Sequence, residues 1–223
     1  MDWGAAVDIY CERLGPGFRA EPVNALTNLS FVAAAVWGWR RARRRNAAGA
    51  DFAVVAGLAV LVGVGSFVFH TVATRWAGLA DVVPIGLFCL AYPVVGLRRF
   101  FGLGPRHALG LAAVAAALGW VASGALPPWL RGSALYLPAL AALAATAAAL
   151  GAARHPAFAP VAAAAIGFAA SLGFRIADAP VCAALPLGTH FLWHLLNGGV
   201  FALLFEALIR AGRGRYSGCA PNR

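Results

Sequence analysis

The stretch PLGTHFLWHLLNGG, residues 186–199, holds two histidines four positions apart, His190 and His194, inside an otherwise apolar run. The run continues through VFALLFEAL to residue 208, long enough for a helix to cross a hydrocarbon core of about 30 Å. Imidazole is costly in such a helix. A four-residue step also brings both rings to one helical face, roughly 6 Å apart along the axis. What they do there depends on where the rest of the chain lies.

Apolar runs of similar length recur along all 223 residues; 61% of the chain is hydrophobic, only 12% is charged, and the mean hydropathy is +0.76. A soluble domain carries about twice that charged fraction. Reading the runs between charged and Gly/Pro-rich breaks predicts helices at 23–39, 52–72, 79–97, 108–125, 133–152, 158–176 and 187–208. The expected fold is all-α: a polytopic bundle of seven transmembrane helices over 23–208. An extracytoplasmic segment, 1–22, precedes it, and a basic cytoplasmic tail, 209–223, follows it. The opening MDWGAAVDIYCERLGPGF has no basic n-region and no continuous apolar stretch, so no cleavable signal peptide is expected.

Arginine sets the orientation. All eighteen basic residues are Arg. Thirteen fall on one side of the seven-helix reading: those of RRARRR at 40–45, then Arg98, Arg99, Arg106, Arg154, Arg210, Arg213, Arg215 and Arg223. Arg13, Arg19, Arg75, Arg131 and Arg175 fall on the other. The positive-inside rule then puts the N-terminus outside and the C-terminus in the cytoplasm. The net charge of +10 records that topology, and no nucleic-acid partner is expected. The absence of Lys, with heavy Ala and Gly use, points to a GC-rich bacterial source and the inner membrane. No obligate protein partner is evident.

Six of the eight acidic residues, Asp2, Asp8, Glu12, Glu21, Asp81 and Asp178, lie toward the outer side. Three of the five histidines lie there too: His70 at the end of the second predicted helix, and His190 and His194 at the start of the seventh. His107 and His155 sit beside Arg106 and Arg154 in predicted cytoplasmic loops and read as solvated residues. An imidazole pair at i, i+4 completed by a third from another helix is a ligand set for catalytic zinc, whose fourth position stays open. Ser66, one helical turn before His70, and Asp81, at the outer start of the third helix, share that depth. The competing reading makes each histidine a hydrogen-bonded packing residue. Another makes the pair a haem site or a structural zinc in a non-enzymatic carrier or receptor.

With these residues in place the chain resembles the alkaline ceramidases and the wider superfamily of seven-helix membrane hydrolases that includes the adiponectin-receptor relatives. The residues that carry the resemblance are GVGSFVFHT with Asp81 eleven positions after His70, FRIADAPVC, GTHFLWHLLN, YCER, and Glu21, Asn24, Thr27 and Asn28 of AEPVNALTNLSF. The resemblance implies a zinc-dependent hydrolase of a non-peptide C–N bond, with zinc held by His70, His190 and His194. It implies that Asp81 handles the proton of the attacking water and that Ser66 stabilises the oxyanion. The implied reaction cleaves ceramide, or a related lipid amide drawn from the bilayer, into a long-chain base and a fatty acid; another N-acyl lipid is the alternative. It also implies calcium on the N-terminal acidic segment, with Glu12 and Glu21 as ligands and Asp8 as a further oxygen donor; a solvated acidic lip is the alternative. Arg175 and Asp178 match the family's R-x-x-D pattern and are expected to form a structural pair; contact with a polar headgroup is the alternative. Cys11 and Cys182 both fall on the outer, oxidising side, where a disulfide between them is expected.

Overall fold

The computed structural model describes residues 2–15, 17–127, 130 and 132–212. Arg131 and most of the expected basic tail, Arg213 to Arg223 with Cys219, lie outside the described residues. The described chain is helical: α1 (Pro22–Thr27), α2 (Leu29–Arg44), α3 (Ala50–Val72), α4 (Arg75–Phe101), α5 (Pro105–Ser123), a short 3-10 turn (Ser133–Tyr136), α6 (Leu137–Ala152), α7 (Phe158–Val181) and α8 (His190–Ala211). Among the described residues there is no strand, only an isolated antiparallel bridge between Ala6 and Thr74.

Six helical stretches are long and apolar enough to cross a membrane: Ala50–Val72, Arg75–Phe101, Pro105–Ser123, Ser133–Ala152, Phe158–Val181 and His190–Ala211. The first expected span, 23–39, is divided instead into α1 and a 16-residue α2 that runs on into the arginine cluster. The division falls at Asn28, where the backbone bonds tighten to i→i+3: Asn28 N–H donates to Ala25 at 3.3 Å and Phe31 N–H to Asn28 at 3.2 Å. Side chains compete for the same carbonyls. Thr27 Oγ1 donates to Val23 and Asn24, and Asn28 Nδ2 donates to the Asn24 carbonyl.

Packing is uneven around the bundle. α8 lies between α2 and α7, and α3 packs along α4. Phe52, Val55, Val62, Phe205 and Leu208 are almost completely buried in the core these helices share. The outer faces of α5 and α7 are apolar yet open: Trp120 is 71% exposed and Ile166 is 73% exposed. Apolar faces of that extent require a covering, and hydrocarbon supplies it. At the arginine-rich end, Arg99 is buried and donates to Asp51 at 2.6 and 2.7 Å, and to the carbonyls of Ala47, Leu208 and Gly212. Glu206 accepts from Arg41 and Arg210. Both acidic residues at this end are therefore paired.

α3 and α4 meet most closely at Gly65, one residue before Ser66. A Cβ there would lie 2.8 Å from the Ala80 carbonyl carbon, which precedes Asp81. The absence of a side chain is what lets the Ser66 turn and the Asp81 turn adjoin. Gly57, on the same helix, has nothing within 4 Å of an added Cβ and serves as the control. Gly65→Ala is expected to lower the unfolding free energy in detergent micelles by roughly 1–3 kcal/mol. Gly57→Ala is expected to leave it unchanged or raise it slightly, as helix propensity favours Ala. Thermal unfolding of the two variants side by side checks the contact.

Candidate metal centre

His70 comes from the last turn of α3, and His190 and His194 from the first turns of α8. All three are buried, and one ligand atom from each lies within 4.8 Å of the others. Ring centroids are 4.6 Å apart for His190–His194, 4.8 Å for His70–His194 and 5.2 Å for His70–His190. Each ring has a buried nitrogen without a hydrogen-bond partner: Nε2 of His70, Nδ1 of His190 and Nε2 of His194. Unpartnered polar atoms are costly in such surroundings, and three imidazoles with ligand atoms this close form a nitrogen-rich set of the kind that suits zinc.

Hydrogen bonds behind two of the rings turn those nitrogens inward. His70 Nδ1 lies 2.6 Å from Glu21 Oε2. An ionised carboxylate only accepts, so Nδ1 carries the proton and Nε2 presents its lone pair. His194 Nδ1 lies 3.0 Å from Thr27 Oγ1, whose single proton is directed to the Val23 and Asn24 carbonyls. His194 Nδ1–H is therefore the donor, and its Nε2 is left to accept. Tyr10 covers the third ring, stacked on His190 with centroids 3.7 Å apart and planes at 20°. Burial pushes the Tyr10 phenol above its usual range, so it stays protonated.

The N-terminal segment is tied across this end of the bundle. Cys11 and Cys182 are bonded as a disulfide, with Cα atoms 5.2 Å apart. Val7 N–H donates to Ala73, Arg75 N–H to Ala5 and Trp76 N–H to Trp3, which lays residues 3–7 along the α3–α4 junction. Gly188 turns the chain into α8 at φ +67°; a Cβ there would lie 2.7 Å from Cys11 Cβ and 3.1 Å from Asp178 Cγ.

The acidic side chains singled out in the sequence have the following partners. Glu12 and Glu21 have separate partners; among the described residues the group of three or more His, Cys, Asp or Glu close enough to share an ion is the histidine trio. Glu12 instead accepts from the N–H groups of Val23 and Asn24 at 2.7 and 2.8 Å, satisfying the start of α1. Glu21 is ion-paired with the buried Arg13 and accepts from Asn24 Nδ2 and His70. Arg13 goes on to donate to the carbonyls of Gly15 and His70, each at 3.0 Å. A cation the chain itself supplies thus occupies the carboxylate. Burial opposes ionisation of Glu21, yet the hydrogen bond from His70, with the bonds from Arg13 and Asn24, holds its carboxyl below the usual range. Asp8 is exposed and stands apart.

Arg175 and Asp178 do not pair. Asp178 is buried and accepts from the N–H groups of Thr189 and His190 at 2.7 and 2.9 Å, and from Cys11 N–H at 3.2 Å. It therefore caps α8 from another helix, at the end where a negative charge is favoured. Arg175 faces away, toward Ser133, Tyr136 and Trp193.

A cavity of about 400 Å³ opens onto two of the trio, lined by Ser66, Asp81, His190 and His194, with Tyr10 and Arg175 on its walls. Asp81 Oδ1 is buried without a partner. Ser66 and Asp81, singled out by their depth in the sequence, thus share one chamber with two of the histidines. Sequence reasoning missed the hydrogen bond of Glu21 to His70, the Thr27 contact with His194 and the Tyr10 lid. The short spacing of YCER to AEPVNALT, which brings Tyr10, Arg13, Glu21 and Thr27 into one compact segment, was the available signal.

Residues 14–166 match the family model described as Ceramidase. That interval holds Glu21, Thr27, Ser66, His70 and Asp81, and it ends before His190 and His194. No curated protein and no solved structure matches the chain.

Removing the support behind a ligand is expected to loosen metal binding without abolishing it. Glu21→Gln should weaken zinc binding by about 10–100-fold, and Thr27→Val by less, since it withdraws a neutral hydroxyl. Competition against a chromophoric chelator measures both; affinities equal to wild type would show that these bonds do not set the ligands. Millimolar calcium is expected to leave the thermal midpoint where it was, because the acidic side chains are already engaged. A rise with calcium would show a site that the segment forms elsewhere.

Proposed function

Because the chain belongs to the Ceramidase family, a premise its match over residues 14–166 supplies, we propose that it is an intramembrane zinc-dependent hydrolase of lipid amides, ceramide or a related N-acyl lipid. The observation that carries the proposal is the convergence of three buried imidazoles, two of which line one cavity with Ser66 and Asp81. His70, His190 and His194 would hold the ion. When bound, zinc supplies a Lewis acid that makes water nucleophilic near neutral pH.

The chain's own groups do the rest. Asp81 Oδ1, buried and without another partner, is available to take the proton of the attacking water. The water oxygen joins the acyl carbon, the C–N bond breaks, and Asp81 returns the proton to the departing nitrogen. The products are a carboxylic acid and an amine. The Ser66 hydroxyl donates to the carbonyl oxygen as negative charge collects there. Tyr10, stacked over His190, narrows the chamber on the side of the N-terminal segment and limits the water that enters.

The same reading extends to topology. α1 and α2 together serve as the first of seven spans, the metal centre faces outward, and the arginine-rich end faces the cytoplasm. The arginine distribution and the open apolar faces of α5 and α7 support it.

The test is incubation of purified wild type and variants with lipid extracts, scoring fatty acid release by mass spectrometry and bound metal by elemental analysis. Wild type is expected to release fatty acid from at least one amide. His194→Ala should lose the metal and the activity together. Asp81→Asn should keep the metal and lose about 10²–10⁴ in turnover, the usual worth of a positioned acid–base group. Release by His194→Ala equal to wild type would remove the metal from the mechanism.

A further inference from the structure

Four consecutive residues, Tyr10 to Arg13, reach across the metal centre and touch both helices that supply its ligands. On the α8 side, Tyr10 lies on the His190 ring, with centroids 3.7 Å apart. Cys11 is bonded to Cys182, and its N–H donates to Asp178, the residue that caps α8. On the other side, Glu12 accepts from the first N–H groups of α1, and Arg13 reaches the last turn of α3. The stretch YCER therefore joins the His70 side of the site to the His190 side, although none of its side chains is a ligand in the trio.

Arg13 holds His70 by two routes. Its Nη2 donates to the His70 carbonyl at 3.0 Å. Its Nε donates to Glu21 Oε1, and the other oxygen of that carboxylate lies 2.6 Å from His70 Nδ1. Nε and Nη2 share one edge of the planar guanidinium, so a single rigid group sets the backbone of His70 against the carboxylate that orients its ring. The loop is closed: carbonyl, guanidinium, carboxylate, imidazole, and back to the same residue. Turning the ring away from His190 and His194 breaks the loop at Glu21, and shifting the end of α3 breaks it at the carbonyl. Arg13 is 6% exposed and Glu21 is 2% exposed, so loss of either leaves the other's charge buried and unpaired. His194, by contrast, is backed only by the neutral hydroxyl of Thr27.

We propose that Arg13 is a positioning residue of the metal centre: through the Glu21 carboxylate and the His70 carbonyl together it fixes where His70 Nε2 points, and so sets the affinity of the site for its ion. This inference rests on the metal-binding reading of the histidine trio. The rival role is structural, in which Arg13 satisfies a carbonyl at the C-terminal end of α3 and affects stability alone.

Zinc affinity is measured on the purified chain in micelles by competition against a chromophoric chelator, beside the thermal midpoint of the metal-free protein. Arg13→Met is expected to weaken zinc binding by about 10–100-fold, the usual effect of losing a group that orients a ligand. Arg13→Lys keeps the charge and loses the fork, and should fall between. Arg19→Met removes the same charge from an exposed position of the same segment and should change the affinity little. Arg13 and Glu21 act on one ring, so Arg13→Met combined with Glu21→Gln should weaken binding by much less than the product of the two single losses.

A lowered midpoint with wild-type zinc affinity in Arg13→Met and Arg13→Lys would overturn the inference and leave the metal site standing. Losses that multiply in the double variant would do the same. Should Arg13→Met not fold, Arg13→Lys against Arg19→Met decides the matter, and equal zinc affinity in the two overturns the inference. Failure of the wild type to bind zinc would overturn the metal reading, and this inference with it.

Discussion

Everything at the histidine end of this bundle follows from the cost of burying three imidazoles in an apolar interior. Each ring carries two nitrogens, and hydrocarbon offers neither a partner. The chain answers with partners behind His70 and His194 and leaves inward-facing nitrogens that only an electrophile can satisfy. Glu21 and Thr27 supply the outer partners, and both come from the segment that leads into α1 and α2. That segment must therefore be held against α3 and α8. The Cys11–Cys182 disulfide, the Arg13 bonds and the Glu12 cap are the means. A site made from helices at opposite ends of the sequence is thus assembled by residues 3–28, which cross over it.

Charge is handled by the same logic at both ends of the molecule. At the arginine-rich end, Arg99 reaches Asp51 and the last carbonyls of α8, closing that helix where positive charge is favoured. At the histidine end, Asp178 closes the start of α8 with the opposite sign. α8 carries two of the three histidines, so its position along the bundle axis decides where they sit. Both of its termini are fixed by side chains of other helices, Arg99 from α4 and Asp178 from α7. The helix that holds the site is thereby secured lengthwise as well as by packing.

How far the sequence could be read depended on whether a residue's role was local. The apolar runs of α3 to α8 and the spacing of His190 and His194 are local patterns, and both were legible. His70 joined them through depth alone, since a bundle whose helices alternate in direction brings its end and the start of α8 to one level. Carboxylates were harder. Glu12 and Glu21 looked like solvated or metal-binding acids, and Asp178 like the partner of Arg175, because their actual partners, backbone N–H groups and a histidine tens of residues away, leave no mark on neighbouring positions. Arg13 was counted as one of the outer arginines, although its guanidinium is buried among Glu21, Gly15 and His70. The break at Asn28 was missed for a related reason: Thr27 and Asn28 redirect carbonyl bonds through their side chains while the apolar pattern continues past them.

Arg175 shows why charge must be weighed by enclosure and not by count. In the sequence it was one of five outer arginines with an aspartate three positions later, and the spacing suggested a helical ion pair. In the fold that aspartate is committed to three backbone N–H groups, and the arginine turns to the other side of α7. There, two aromatic rings and the Ser133 hydroxyl restrict it beside the metal-competent trio. An exposed arginine in water would be screened by salt. One set between two aromatic rings on a cavity wall is screened less.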